Sequence, residues 1–270
     1  MISLKVIVLV KQVPDPREYV RIREDGTLDR EKARAVINDC DKNALEAALQ
    51  LKEKFNSKVI AVSMGPPKAE DALREALAMG VDEAILISDR RVRGSDTLAT
   101  SYVLYKAIEK LGPYDLILCG LESSDGGTAQ VGPELAEFLG IPQATFVEDF
   151  EVKGNYVIVK RRIEGGFEKL KITMPVLLTI SKNANKPRPT TFSGILKAVK
   201  KPVVTWSLED IGAEVDKVGL AGSPTKIMKV EKIGSQRKRI LIEGNDVEEI
   251  VNNLLRSLQE HGIILEAAKQ

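Results

Sequence analysis

"KVIAVSMGPPKAEDALREALAMGVDEAILIS", residues 58–88, holds two short apolar runs with a helical pattern between them. "KVIAVS" (58–63) and "EAILIS" (83–88) are nearly continuous in Val, Ile, Leu and Ala, the composition of strands covered on both faces. Between them Pro66 and Pro67 open a helix that lines up Ala69, Leu73, Ala76 and Leu77 and stops at Gly80. Strand, helix and strand in that order make a βαβ unit, which demands a parallel sheet with a right-handed crossover.

The same alternation extends on both sides. "LKVIVLV" (4–10) and "DLILCG" (115–120) are further buried-strand runs. Asp41 is expected to cap a helix carrying Ala44, Leu45, Ala48, Leu49 and Leu51, with Lys52 and Lys54 toward its end. A third helix is expected from about Ser95 to Leu111, ending at Gly112. A fourth leaves the loop "CGLESSDGGTAQVG" (119–132), carries Val131, Leu135, Phe138 and Leu139, and ends at Gly140. The fold class is therefore α/β: a doubly wound, mostly parallel, Rossmann-like sheet.

Residues 144–180 read as antiparallel hairpins that extend or flank this sheet, with turns at Lys153-Gly154-Asn155 and Gly165-Gly166. "NANKPRPTTFSG" (183–194) is a loop, followed by a short helix at 193–200 and the strand-like "PVVTW". Little periodicity follows until "NDVEEIVNNLLRSLQEHG" (245–262), a capped amphipathic helix expected to bury Val247, Ile250, Val251, Leu254, Leu255 and Leu258. Two parts result: an α/β domain at 1–182, antiparallel strands included, and an extended C-terminal arm at 183–270 that needs a partner subunit to cover it.

Charge is balanced, 40 basic against 39 acidic side chains, so neither nucleic acid nor a membrane surface finds a single-sign field to bind. Two cysteines in 270 residues, Cys40 and Cys119, suggest a reducing compartment and no structural metal. No signal peptide or run of about 18 apolar residues is seen, so a cytoplasmic chain without direct membrane insertion is expected. The single histidine, His261, makes side-chain acid–base catalysis unexpected. Its simplest role is as a partner for a helix C-terminus, and Cys119 at a strand end is expected to pack rather than react. No carboxylate pair and no His/Cys cluster has a spacing that singles it out. The basic groups Arg161-Arg162, Lys197, Lys200 and Lys201 are expected on solvated faces, and the charged stretch 229–239 could line a partner contact.

Ligands of open α/β sheets bind beyond the carboxyl ends of the strands, where strand order reverses. The segments leaving such ends are "VKQVPDP" (10–16), "SMGPP" (63–67), "VINDCDKN" (36–43) and the 119–132 loop. That loop matches neither the GxGxxG nor the GxxxxGK[ST] spacing. It offers the hydroxyls of Ser123, Ser124 and Thr128, close backbone approach at Gly126 and Gly127, and a helix N-terminus just after them. It has no lysine and no metal-binding Ser/Thr after one, as phosphoryl transfer would need, so a nucleotide held as a cofactor is favoured over a nucleotide consumed. A plain tight connection explains such a loop equally well. An ATP-hydrolysing enzyme of similar fold is the alternative from another class, and an SGGxDS-type adenylating loop is disfavoured because that loop follows the first strand.

The ordered series "VIVLVKQVPD", "KVIAVSMGP", "CGLESSDGGTAQVGPELAEFLGIPQAT", "RRIEGGFEKLKITMPVLLTI" and "NKPRPTTFSGILKAVKK" resembles the beta subunit of the electron transfer flavoproteins over residues 4–212. The resemblance implies a heterodimer with an alpha subunit that carries an FAD. It also implies a nucleotide site at Leu9, Asn38, Asp39, Cys40, Asp41, Ser63, Met64, and Gly120, Leu121, Glu122, Ser123, Ser124, Asp125, Gly126, Gly127, Thr128, Ala129, Gln130 and Val131. In the ordinary branch the ligand is a structural AMP and the loop is bulkier and more acidic. The present loop is similar to the "DGDTAQVGP" form of the electron-bifurcating branch, in which a second FAD replaces AMP. It departs from the family at Glu122 and Ser123, where Gln-Ala is common, and at Gly127, where bifurcating members often have Asp. The bifurcating reading implies NADH as donor, the alpha-subunit FAD and a quinone-linked partner on the high-potential path, and ferredoxin or iron–sulfur subunits on the low-potential path. Membrane association would come only through partner subunits. Residues 182–195 resemble the loop that docks a dehydrogenase, implying contacts at Ala184, Asn185, Lys186, Pro187 and Arg188. Ala184 stands where a larger apolar anchor is common and Lys186 replaces an acid, so a weaker or different contact is implied.

Overall fold

The structure, a computed structural model, describes residues 3–15, 34–226 and 239–263. It comprises two units, Met1–Val230 and Glu231–Gln270. In the first unit the elements are β1 (Lys5–Leu9), β2 (Gln12–Pro14), β3 (Ala35–Ile37), α1 (Asp39–Phe55), β4 (Lys58–Met64), α2 (Glu70–Met79), β5 (Glu83–Ile87), α3 (Thr97–Leu111), β6 (Leu116–Gly120) and α4 (Val131–Leu139). Then come β7 (Gln143–Lys153), β8 (Tyr156–Ile163), β9 (Gly166–Thr173), β10 (Val176–Ile180), α5 (Phe192–Lys200), β11 (Val203–Trp206) and the short α6 (Gly219–Gly222). Nine strands form one sheet in the order β11-β5-β4-β1-β6-β10-β7-β8-β9, and β2 and β3 make a small antiparallel pair. The α/β class read from the sequence is the class observed.

Alternate residues of the central strands enter opposite cores. Val6, Val8, Val59, Ala61, Leu116 and Leu118 are buried with Ala44, Leu45, Ala48 and Leu73 of α1 and α2. Ile7, Leu9, Ile60, Val62, Ile117 and Cys119 are buried with Val103, Ala107, Leu135 and Ala136 of α3 and α4. Coverage on both faces is the physical reason these strands lack polar alternation. Pro67–Ala69 forms one tight turn ahead of α2, and Gly80 ends that helix with φ +130°, a backbone conformation that side chains resist.

The hairpins differ from the expected arrangement in one respect. β7, β8 and β9 form an antiparallel meander at the sheet edge, as expected. β10 instead inserts between β6 and β7, parallel to both, with Leu178 opposite Leu118. All five of its residues are buried, so "VLLTI" is a central strand by the same rule that identified β1. β11 joins the other edge, parallel to β5, from beyond residue 182. The expected boundary at 182/183 therefore falls inside the compact unit that runs to Val230.

In the second unit, α7 (Val247–Glu260) is capped by Asp246, whose side chain accepts the Glu249 N–H at 2.8 Å. Its apolar face was expected to be buried with a partner subunit covering the arm; in this chain Val247, Ile250, Val251, Leu254 and Leu255 are exposed. The charged stretch 229–239 lies almost wholly outside the described residues, and only Arg239 is described. Among the described residues no helix is long and apolar enough to cross a membrane.

Candidate functional site

Strand order reverses at β1: β4 and β5 lie on one side of it, β6 and β10 on the other. The chain leaving β1 reaches α1 on one face, and the chain leaving β6 reaches α4 on the opposite face. The carboxyl ends of β1 and β6 form this switch point, the place where open α/β sheets bind ligands in a crevice.

Asp41 holds the two lips of this crevice together. It lies in the first turn of α1, and its carboxylate accepts the Lys11 N–H beyond β1 at 2.8 Å and the Gly120 N–H at the end of β6 at 3.0 Å. Asp41 was expected to cap its helix. The N-cap is Asn38, without a side-chain cap bond, because the buried Asp41 carboxylate faces the strand ends instead. Burial pushes its carboxyl up to about 7, against the opposing donation from Lys11, Asn38 and Gly120. Gly120 has no substitute here: a Cβ would fall on Asp41 Oδ1 and lie 2.7 Å from Cys40 Cβ and 2.8 Å from the Asp41 nitrogen.

Asn38 shapes the loop that follows. Its Nδ2 donates to Glu122 O at 2.8 Å and its Oδ1 accepts the Ser124 N–H at 3.0 Å. The turn closes as the Gly126 and Gly127 N–H groups donate to Ser123 O. Gly127 (φ +59°) and Ala129 (φ +55°) both adopt left-handed backbone, a sparsely populated region for alanine. Among the described residues the N–H groups of Thr128, Ala129, Gln130 and Val131 meet no acceptor. They form a run of donors at the N-terminus of α4, an anion-binding arrangement. Gly132 lets that helix sit close, since a Cβ there would lie 2.6 Å from Thr179 Cγ2 and 3.1 Å from Cys119 Sγ.

The structure thus brings together most of the residues expected to bind nucleotide. Leu9 is buried at the end of β1, and Asn38, Asp39, Cys40 and Asp41 surround the start of α1. Ser63 and Met64 end β4, and Ser63 Oγ is buried with no hydrogen-bond partner among the described residues. Gly120 to Val131 form the loop. Asp41 is taken up by backbone contacts, which makes it a positioning group. Cys40 and Cys119 are buried free thiols with pKa values raised chiefly by burial, so both favour the inert thiol. One functional candidate escaped the sequence reading: Lys11, whose Nζ reaches Ser123 Oγ at 3.2 Å and Asp125 Oδ1 at 2.7 Å. Its signal was a lone lysine directly after the first strand.

The expected docking residues lie elsewhere. Asn185 exchanges bonds with Asn43, Arg188 pairs with Glu46 at 2.7 Å and with Glu53 at 2.5 Å, and Ala184 packs against the core. Burial works against the Glu46 carboxylate, but the Arg188 bonds outweigh it and hold the group below its ordinary range. Of the five, Lys186 alone is exposed. The nearby exposed apolar groups are Phe192, Ile195, Leu196 and Val199 of α5. A cleft of about 690 Å³ lined by Leu98, Tyr102, Tyr105 and Phe138 contains none of the residues expected to bind nucleotide.

Residues 25–211 match the electron transfer flavoprotein domain. The chain is 46% identical over 262 residues to the electron transfer flavoprotein subunit beta of Thermoanaerobacterium thermosaccharolyticum, covering 97% of this chain and 100% of that one. It is 41% identical over 262 residues to the caffeyl-CoA reductase-Etf complex subunit CarD of Acetobacterium woodii, with the same coverage. It is also 41% identical over 267 residues to the acryloyl-CoA reductase electron transfer subunit gamma of Anaerotignum propionicum, covering 96% of this chain and 100% of that one.

Proposed function

The chain belongs to the electron transfer flavoprotein family, and from that premise we propose that it is the beta subunit of a heterodimer whose β1–β6 crevice holds an FAD. The observation that carries this reading is the run of N–H groups from Thr128 to Val131 that meet no acceptor among the described residues, directly after Gly126 and Gly127. A diphosphate fits such a run: successive amides and the α4 N-terminus meet its oxygens, and the glycines leave room for close approach. The Ser63 hydroxyl near the end of β4, buried and without a hydrogen-bond partner among the described residues, is a further polar group for the same ligand. Asp41 and Asn38 fix the spacing of the rim from behind.

A bound FAD would supply the redox chemistry, two-electron exchange with NADH as donor and one-electron exchange with the alpha-subunit FAD and a low-potential carrier such as ferredoxin. The residues of this chain hold and orient the dinucleotide, and none is required to move a proton. A second reading, AMP as a structural ligand with simple electron shuttling from a dehydrogenase, draws support from Glu122 and Asp125, two carboxylates in the same loop that disfavour additional phosphate charge. Two of the relatives are named for CoA-thioester reductase complexes, so a reductase or dehydrogenase of that class is the proposed docking partner, with residues 184–188 and the exposed face of α5 as its surface. The alpha subunit is proposed to cover α7. A cytoplasmic complex that reaches quinone only through other subunits completes the proposal.

Acid release and quantification of nucleotides from the purified heterodimer test it. Two FAD and no AMP per heterodimer are expected; one FAD with one AMP would establish the second reading in its place. Metal-dependent ATP turnover by the chain would instead favour a hydrolase.

A further inference from the structure

The loop beside the crevice contains no lysine of its own, yet the fold delivers one to it. Lys11 is the second residue after β1, and its backbone N–H is fixed by Asp41 at 2.8 Å. From that anchored start the side chain crosses to the β6–α4 loop and places Nζ 2.7 Å from Asp125 Oδ1 and 3.2 Å from Ser123 Oγ. The two ends of this pair differ in exposure. The Asp125 side chain is 8% exposed and is built into the loop, whereas that of Lys11 is 46% exposed. The lysine is therefore the partner free to turn.

We propose that Lys11 is the cation that contacts the phosphate of the nucleotide in this crevice, and that Asp125 and Ser123 hold its ammonium at the rim until the anion arrives. This rests on reading the crevice as an adenine-nucleotide site. Three physical points carry it. The β6–α4 loop offers an anion neutral donors and no cation of its own, so the ammonium that Lys11 brings to it adds an attraction of opposite charge. An ammonium has three donors on a flexible stem, so it can keep its bond to Ser123 while another N–H turns to a phosphate oxygen. The third N–H is enough for the phosphate oxygen, so the bond to the nearly buried Asp125 carboxylate need not be given up. The arrangement explains how a loop without a lysine can hold an anion: the charge comes from the neighbouring strand.

The test is calorimetric titration of AMP, ADP and adenosine into the heterodimer freed of nucleotide at this site, for the wild type and for Lys11→Ala and Lys11→Arg. Lys11→Ala should weaken AMP and ADP by about tenfold or more, as expected for loss of a hydrogen bond to a charged group, while adenosine binding stays unchanged. Lys11→Arg should keep phosphate affinity within about threefold of the wild type, and the salt dependence of ADP binding should flatten in the alanine variant. Equal weakening of adenosine and ADP would show that Lys11 only shapes the loop and would overturn the proposal. So would unchanged ADP binding, which leaves the nucleotide site itself standing. A wild-type complex that binds none of the three would remove the nucleotide reading, and this proposal with it.

Discussion

Replacing Asp41 with alanine should loosen the crevice from behind, by an amount that can be worked out from two hydrogen bonds. The carboxylate accepts the Lys11 and Gly120 N–H groups, one from each side of the strand-order reversal. Alanine leaves both donors without that acceptor. An unsatisfied buried donor costs about 1–3 kcal/mol, and because these two are only partly buried the lower half of that range applies, about 2–4 kcal/mol together. The figure holds at about pH 4 and below, where the carboxyl is largely protonated in the folded and the unfolded chain and its removal relieves no buried charge. The pH dependence has a definite sign. The folded-state pKa is about 7, raised above the ordinary value of 3.8, so the stability this group contributes is complete below the ordinary carboxyl range and is lost as pH rises through 7. The wild type should therefore lose about 2 kcal/mol relative to the variant between pH 5.5 and 8.5, at about 1.4 kcal/mol per pH unit up to the folded pKa. Asparagine supplies an oxygen to one amide but turns an NH₂ toward the other, so Asp41→Asn should recover about half of the loss. Amide hydrogen exchange of the purified heterodimer reads this locally: 2 kcal/mol corresponds to about 30-fold faster exchange at the ends of β1 and β6. A change below threefold at pH 4, or a difference between wild type and Asp41→Ala that is flat with pH, would refute the reasoning.

Three further outcomes are expected. Gly120→Ala drives a Cβ into Asp41 and should cost about 1–3 kcal/mol in denaturant unfolding, with nucleotide content falling alongside; a fully loaded, equally stable variant would show that the close approach is not required. Arg188→Ala strands the nearly buried Glu46 carboxylate and should destabilise by about 2–3 kcal/mol, between the limits for surface and buried pairs. The loss should shrink as pH falls through the depressed Glu46 pKa, because protonation removes the stranded charge; a loss that persists unchanged at low pH would contradict it. Leu254→Asp, on the exposed apolar face of α7, should abolish co-purification with the alpha subunit while the helical circular dichroism of the chain is retained; an intact heterodimer would remove that face from the interface.

The sheet was legible because β1, β4, β5 and β6 are apolar on both faces and each is followed by a helix of matching period. β10 obeys the same composition rule, but its place between β6 and β7 could not be read from the chain order, since strand adjacency depends on packing between distant segments. The loop at 119–132 was legible through its glycines and the helix after it. The role of Asp41 was not: an acid at a helix start reads as a cap, and only the approach of Gly120, 79 residues away, turns its carboxylate toward the strand ends. Lys11 was hidden for the same reason, because its distance to Asp125 is set by the parallel pairing of β1 with β6. The apolar stripe of α7 was legible as amphipathic, and the lack of periodic sequence before it already pointed to a cover from outside the chain, in keeping with its exposure.

The most direct test is a crystal structure of the purified heterodimer with its native ligands. Density for a dinucleotide should fill the β1–β6 crevice, its diphosphate against the amides of Thr128 to Val131 and its flavin ring beyond them. A crevice holding a single phosphate, or a flavin bound to this chain anywhere else, would contradict the account.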